Sequence, residues 1–345
     1  MPPTPERTVL LTGGGTGGHL AIVRAVGEAL WARGEAPLYV GSESGQDRAW
    51  FGDERRFALR LFLPTGGVVN RRGFEKIRAL ARIWRASDEV ASVIKAHRVG
   101  AVLSVGGFSA APASLAALRA GIPLFIHEQN AVPGTLNRLL RPFCRAFFSS
   151  YEEPRIDYPV ARSFFESART RRRIGKVIFL GGSQGARAIN DFALEAAPHL
   201  MRRGVGIIHQ TGDRDHARVV EAYRKLGVDA DVFAFDTALH RRMAEADLAV
   251  SRAGASTLWE LAANRLPTLF VPYPHAVKDH QYHNARHLLK KGAGWVVRQE
   301  ALRVSHLLDL DDGEVAAASD RLEGMITPGG ADSIADALLQ AARAE

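Results

Sequence analysis

The sequence predicts a parallel α/β protein built as two similar halves. Three observations predict it. Short apolar runs of strand length alternate with helical patterns, which is the signature of βαβ units and a sheet buried on both faces. Glycine-rich turns recur at the ends of those runs, at Gly13–Gly18, Gly106–Gly107 and Gly181–Gly185. The alternation also breaks once, at YEEPRIDYPVARSFF (residues 151–165), and then restarts.

Taken in order, Val9–Thr12 is a buried-strand run, GGGTGGH follows at Gly13–His19, and a helical pattern covers roughly residues 18–33. Leu38–Gly41, Leu59–Leu63, Val102–Val105 and Leu124–Ile126 continue the first series of strands. The Pro-, charge- and aromatic-rich stretch after Ser150 has the composition of a linker. Lys176–Leu180 then leads into GGSQGA, Gly206–His209 into QTGD, Asp231–Phe235 into a polar loop, and Leu248–Ser251 into RAGAST. A further apolar run, Thr268–Val271, ends in a Pro-rich loop, and the last helix, Ala331–Glu345, has no strand after it.

Composition narrows the function. The 345 residues suffice for two domains, and 46% hydrophobic content supplies a core for each. The single cysteine, Cys144, makes an intrachain disulfide or a cysteine-rich metal site impossible and fits a reducing compartment. The first residues lack the apolar core of a signal peptide, and no apolar run reaches membrane-span length. The formal net charge of +8 predicts an anionic partner: nucleic acid, a membrane surface or a phosphorylated substrate.

The most informative stretch is Arg252–Asn284. Gly254 and Ala255 allow a tight turn after a buried strand. Ser256 and Thr257 start a helix, and Thr257 with Glu260 fits an S/T-x-x-E capping box. Strand ends and a helix N-terminus are thus close in sequence, and in a parallel sheet they converge at the carboxyl edge, where N–H groups and the helix dipole favour an anion. The plain alternative is that Glu260 only caps a helix and Gln281 is only solvated.

Gly13, Gly15 and Gly18 match G-x-G-x-x-G in a strand-to-helix context, and Glu43 could serve as the ribose acid of a dinucleotide site. That reading ranks second, because five glycines in six positions ending in His19 suit a bulky group approaching the backbone. His127-Glu128-Gln129-Asn130 directly follows a strand, where four polar residues in line are poor structural filler. At least one of them is expected merely to satisfy buried backbone groups. Three glycine turns suggest more than one phosphate-bearing group.

GGGTGGH, HEQNAVPGTLN at His127–Asn137, GGSQGA at Gly181–Ala186, RAGASTLWE at Arg252–Glu260 and FVPYPHAVKDHQYHNA at Phe270–Ala285 occur in that order. In them, residues 8–298 resemble the MurG family of bacterial peptidoglycan N-acetylglucosaminyltransferases. The resemblance implies a GT-B type α/β fold: two Rossmann-like domains with parallel sheets facing across a cleft. Residues 1–161 would form an N-terminal acceptor- and membrane-binding domain and 162–330 a UDP-GlcNAc-binding domain, with the helix 331–345 packing back on the first. It further implies transfer of GlcNAc from UDP-GlcNAc to the MurNAc C4 hydroxyl of lipid I, with inversion, giving lipid II at the cytoplasmic membrane face. The partners implied are UDP-GlcNAc, lipid I, the anionic inner-membrane surface, and cell-wall synthesis and division proteins, with no nucleic acid.

Residue by residue, the resemblance gives Ser183 a contact to the UDP region. Ala255, Ser256, Thr257, Leu258, Trp259 and Glu260 would wrap the diphosphate and ribose, Glu260 taking the ribose hydroxyls. Gln281 would contact the GlcNAc hydroxyls. Gly15, Thr16, Gly17 and Asn130 would reach the donor sugar. His19, Gly14, Gly18 and the turn Gly106, Gly107 and Ser109 would face the acceptor. Two departures stand out: the family's GNPVR linker is DYPVAR here, which puts the linker arginine at Arg162, and Asp236 replaces an apolar residue whose backbone meets uracil.

No Asp-x-Asp pair lies in the donor loops, so no metal cofactor is expected, and helix N-termini with Arg252 or Arg162 would stabilise the leaving diphosphate. His19 is the first candidate for the base and Glu128 its rival, while His19 as a plain acceptor ligand has equal standing. A UDP-sugar epimerase on the same fold and a nucleotide-binding module without transferase activity are the competing functions. RRGFEKIRALARIWR, Arg71–Arg85, places Phe74, Ile77, Leu80, Ala81 and Trp84 on one arc with Arg71, Arg78, Arg82 and Arg85 beside it. That pattern suits either an ordinary core-facing helix or a membrane-docking face.

Overall fold

The structure, a computed structural model, describes residues 7–65, 74–182, 185–236 and 238–344. The chain forms two units, Met1–Val160 with Pro328–Glu345, and Ala161–Thr327. The first holds β1 (Thr8–Thr12), β2 (Leu38–Ser42), β3 (Leu59–Leu63), β4 (Val99–Ser104), β5 (Leu124–Glu128) and β6 (Ala146–Ser149). The second holds β7 (Lys176–Leu180), β8 (Gly206–Gln210), β9 (Asp231–Phe233), β10 (Leu248–Ser251), β11 (Thr268–Phe270) and β12 (Trp295–Val296).

Both sheets are parallel throughout and share one topology. The first runs β3-β2-β1-β4-β5-β6 and the second β12-β11-β10-β7-β8-β9, the same order read from the other edge. This is the doubly wound dinucleotide-fold order, whose direction reverses between the first and fourth strands of each unit. The central strands are apolar on both faces: Leu10, Val40, Val102 and Ile126 anchor one core, and Val177, Phe179, Val250 and Leu269 the other.

β6 and β12 escape the sequence pattern because they are short edge strands with half-exposed side chains, so neither carries a clean buried run. The expected linker is not a solvated spacer. Tyr158, Val160 and Phe164 in it are buried, and Arg162–Glu166 forms a short helix.

The C-terminal helix Gly330–Arg343 packs in the first unit, against the helix Gly17–Trp31 and against β4. Arg33 bridges Asp332 and Asp336 on it at 2.7 Å each, and Arg343 reaches Glu35 at 2.8 Å. A Cβ on Gly100 would lie 2.8 Å from Ala342 O, so the approach there needs glycine.

The helix Phe74–Ala96 corrects the idea of an ordinary helix with its apolar arc inward. Leu80 and Trp84 are 52% and 53% exposed and Ala81 is exposed, whereas Ala79, Ala86, Ser87, Val90 and Ile94 are buried. The small residues of that inner face let the helix lie close to Ala111–Arg119. Arg78, Arg82 and Arg85 point to solvent with the outer arc. Arg71 lies outside the described residues, as do the side chains of Phe74 and Ile77.

Candidate functional site

In the first unit, β1 and β4 flank the point where strand order reverses, and both run straight into glycine turns. Gly13 and Gly15 have φ of +126° and +82°, Gly106 and Gly107 +86° and +79°. A Cβ on Gly13 would sit 2.7 Å from Gly106 O, and one on Gly107 2.7 Å from Gly14 O, so the two turns are packed backbone to backbone.

Asp47 holds this arrangement from below. It is fully buried, and its Oδ2 accepts the Gly15 N–H at 2.7 Å. Its Oδ1 accepts the Ser42 N–H at 2.8 Å and lies 2.9 Å from Tyr39 Oη. Burial first, then the Asp47 charge, pushes the Tyr39 phenol well above its ordinary range, so it stays a neutral donor. The sequence reading missed Asp47 because it sits beyond the next strand with no motif around it. Glu43, the alternative ribose acid of a dinucleotide site, is exposed and paired with Arg48.

His19 stands in the first turn of the helix Gly17–Trp31. Its Nε2 lies 2.8 Å from Gln129 Nε2 and its Nδ1 2.9 Å from Thr16 Oγ1. An amide nitrogen can only donate, so His19 Nε2 accepts, and the ring proton sits on Nδ1 facing the threonine hydroxyl. Gln129, quoted in the motif but not singled out, is therefore the residue that sets the tautomer.

Glu128 is spent differently. Its Oε1 accepts the Asn130 N–H at 2.9 Å, and Oε2 accepts the Gly134 N–H and Asn137 Nδ2, each at 2.9 Å. It braces the loop after β5, which sets it behind His19 as a candidate base. His127, Glu128 and Gln129 are all buried, His127 completely. The His127 ring lies edge-on to Tyr158 at 5.4 Å, neither ring nitrogen has a hydrogen-bond partner among the described residues, and burial together with nearby His19 pushes its pKa down to about 3. Ser109 is fully buried, so its side chain lies beneath the turn rather than on its surface.

In the second unit, β7 and β10 flank the corresponding point. Gly182 and Gly185 have φ of +81° and +74°. Ser183, between them, lies outside the described residues. The helix after β10 spans Ala255–Ala263 with Gly254 at its cap and no side-chain cap bond. This corrects the capping box: the helix starts two residues before Thr257, which is already inside the first turn and too far along to cap it with Glu260 as partner. Gly254 at the cap has no side chain to offer the first-turn N–H groups. Ser256, Leu258 and Trp259 are buried, while Glu260 is half-buried.

Arg252 does not project as a lone cation. It donates to Val271 O at 3.0 Å, Pro272 O at 3.2 Å and Gln299 Oε1 at 2.6 Å, and burial lowers its pKa. Gln281 Oε1 accepts the Tyr273 N–H at 2.9 Å. Asp236 accepts the Ala238 N–H at 2.7 Å and Arg242 Nε at 2.6 Å, an ionic clamp after β9. Arg162 opens the helix Arg162–Glu166 and is exposed. Among the described residues no cluster of His, Cys, Asp and Glu is placed to hold a metal ion, and no helix is long and apolar enough to cross a membrane.

Comparison with known proteins adds the family. Residues 9–149 match the glycosyltransferase family 28 N-terminal domain and 176–311 its C-terminal domain. A Wolinella succinogenes protein named UDP-N-acetylglucosamine--N-acetylmuramyl-(pentapeptide) pyrophosphoryl-undecaprenol N-acetylglucosamine transferase is 53% identical over 333 residues, covering 96% of this chain and 99% of the relative. The chain belongs to the MurG family. A Campylobacter jejuni relative of the same name is 46% identical over 95% of the chain and 96% of its own length. The crystal structure of Acinetobacter baumannii MurG superposes with a TM-score of 0.76 at 26% identity, covering 97% of this chain and 99% of that one. That MurG likeness agrees with the GT-B fold. A Listeria monocytogenes structure described as a putative UDP-N-acetylglucosamine 2-epimerase matches at TM-score 0.61 and 13% identity, which reflects the shared fold alone.

Proposed function

We propose that this chain moves GlcNAc from UDP-GlcNAc to the C4 hydroxyl of the MurNAc-pentapeptide carried on undecaprenyl diphosphate, with inversion, completing the lipid-linked disaccharide for peptidoglycan. The observation that carries the reading is the 53% identity over 96% of the chain to a relative named for this transfer. The geometry supports matching roles. In the second unit the helix start at Ala255, with Gly254 before it, suits the donor diphosphate, Glu260 the ribose and Gln281 the sugar. The packed glycine turns of the first unit suit an acceptor carrying its own diphosphate.

In this reading the acceptor oxygen attacks the anomeric carbon opposite UDP, and His19 Nε2, already an acceptor, takes the proton. UDP departs onto backbone N–H groups rather than a cation, so transfer runs without a metal. The protein works on a lipid-linked substrate from the cytoplasmic membrane face, held there by the outer face of Phe74–Ala96. On that face Arg119 stacks 4.5 Å from the Trp84 ring, adding a further cation beside the exposed tryptophan.

The test is transfer of labelled GlcNAc from UDP-GlcNAc to a short-chain lipid I analogue in excess chelator. Label in the lipid product is expected. Conversion of UDP-GlcNAc to an epimer without acceptor would point to the epimerase instead, and activity only after added magnesium or manganese would overturn the metal-free mechanism.

A further inference from the structure

We infer that Asp279 and Arg298 are positioning residues for the sugar half of the donor, setting the reach and the amide orientation of Gln281; this rests on the donor reading above. The loop between β11 and the helix His280–Leu289 ends in two consecutive left-handed residues, Lys278 (φ 52°) and Asp279 (φ 54°), with no glycine at either. Residues bearing a Cβ avoid that region, and such a pair persists only where its surroundings over-determine it.

The surroundings here are specific. Arg298 grips Asp279 with both arms of its guanidinium, Nη1 to Oδ1 at 2.8 Å and Nη2 to Oδ2 at 2.6 Å. The same guanidinium lies 4.0 Å from the Tyr282 ring centroid, one residue beyond Gln281. A forked pair of this kind fixes geometry as well as charge, which a lysine could not reproduce. The other end of the loop is held at the same place in the chain. Arg252 takes the carbonyls of Val271 and Pro272 and is itself held by Gln299, the neighbour of Arg298. Both ends of the loop are therefore anchored by the two residues that follow Val297.

What this frame controls is Gln281. Its Oε1 accepts the Tyr273 N–H across the loop, so the amide cannot flip, and Nε2 has no partner among the described residues. A glutamine whose oxygen is anchored by one N–H holds its amide in one orientation and turns its two N–H donors outward. It then reads a sugar hydroxyl as an acceptor, in one orientation, and a ring hydroxyl of opposite configuration leaves that donor pair unanswered. If Asp279 lets go, the turn into the helix relaxes, the Tyr273 bond is lost, and Gln281 can offer either end of its amide.

The experiment compares parent, Asp279→Asn and Arg298→Gln. Asparagine tolerates the left-handed backbone, so Asp279→Asn removes the ion pair while keeping the turn. Calorimetry measures UDP and UDP-GlcNAc affinity, and steady-state assays give kcat and KM for UDP-GlcNAc and for a UDP-sugar epimeric at one ring hydroxyl. UDP affinity should stay within about twofold in both variants, while the extra affinity of UDP-GlcNAc over UDP and the discrimination against the epimer fall by about tenfold, the scale of one oriented hydrogen bond. Arg298→Lys should restore only part of the loss. Variants that melt like the parent and keep its discrimination would overturn the inference, as would a parallel fall in UDP affinity, which would mark a general structural role. If Arg298→Gln does not fold, Asp279→Asn carries the test alone. A parent that transfers GlcNAc without preferring it to its epimer overturns the inference only; one that binds no UDP-GlcNAc overturns the donor reading as well.

Discussion

At His19 the acceptor lone pair is already occupied: Gln129 donates to it from 2.8 Å. To act as a base the ring must exchange that amide for the incoming hydroxyl, whose proton then moves to Nε2 while Thr16 holds Nδ1–H. His19→Ala is therefore expected to lower turnover by roughly 10²–10⁴-fold with UDP affinity unchanged. Near-normal turnover with a raised acceptor KM would make it a ligand. Two buried histidines also tie stability to pH. His127 is pushed down to about 3 by burial and His19, and His209 to about 3 by burial, although nearby Asp215 works the other way. Between pH 6.5 and 3 the unfolded chain binds protons that the folded chain refuses. Stability is thus fully present above pH 6.5 and erodes as pH falls, by up to ~1.4 kcal/mol per pH unit for each histidine. Asp215, held at about 2 by Arg218, adds to the loss only below its ordinary value of 3.8. Denaturant unfolding at pH 7.5, 6.0 and 5.0 should show this decline. His127→Phe, which keeps an aromatic neighbour for Tyr158, should flatten the slope, and an unchanged slope would show that His127 is not a titrating partner in unfolding.

Among the elements, the strands and glycine turns were legible because a parallel sheet buried on both faces writes itself as apolar runs, and positive φ writes itself as glycine. Less was legible where partners come from afar. The apolar stripe of Phe74–Ala96 stood out, but nothing in the stripe told which side faces the protein, since Ala79, Ala86 and Ser87 win that place by being small enough for close approach. The cap at Thr257 failed because spacing alone does not mark where a helix begins, and Gly254 lets it begin earlier. The site was legible in its motifs and illegible in its braces: Asp47, Asn137 and Arg298 act through contacts to residues 9 to 32 positions away. The outward stripe carries its own prediction. Leu80 and Trp84 are exposed among Arg78, Arg82 and Arg85, and each basic residue near an anionic leaflet contributes about 1 kcal/mol. Changing those three arginines to glutamate should abolish most binding to anionic vesicles in co-sedimentation and leave UDP affinity intact. Trp84→Ala should weaken binding less, and should do so even at high salt, where screening has removed the charge term. Equal vesicle binding by the triple variant and the parent would exclude this face.

For the whole molecule, one topology is used twice, and the chain closes the first copy with its last helix. Gly330–Arg343 belongs to the first unit although about half the chain separates it from that unit's sheet. Ile334 and Leu338 are fully buried and Leu339 nearly so. Burying each such side chain stabilises by about 1.5–3 kcal/mol. The three together approach the 5–15 kcal/mol that ordinarily separates a folded domain from its unfolded chain. The half-exposed ion pairs of Arg33 with Asp332 and Asp336 add orientation more than energy. Removing residues 331–345 should therefore unfold the first unit and spare the second, whose core includes none of the helix. Hydrogen exchange should show protection lost in β1 and β4 and kept in β7 and β10, while UDP still binds and transfer disappears. Leu338→Asp in the full chain should reproduce the pattern by burying a charge without a partner. Retained protection in β1 and β4 after truncation would mean that the sheet and its own helices are enough, and that the C-terminal helix serves some purpose other than closing this core.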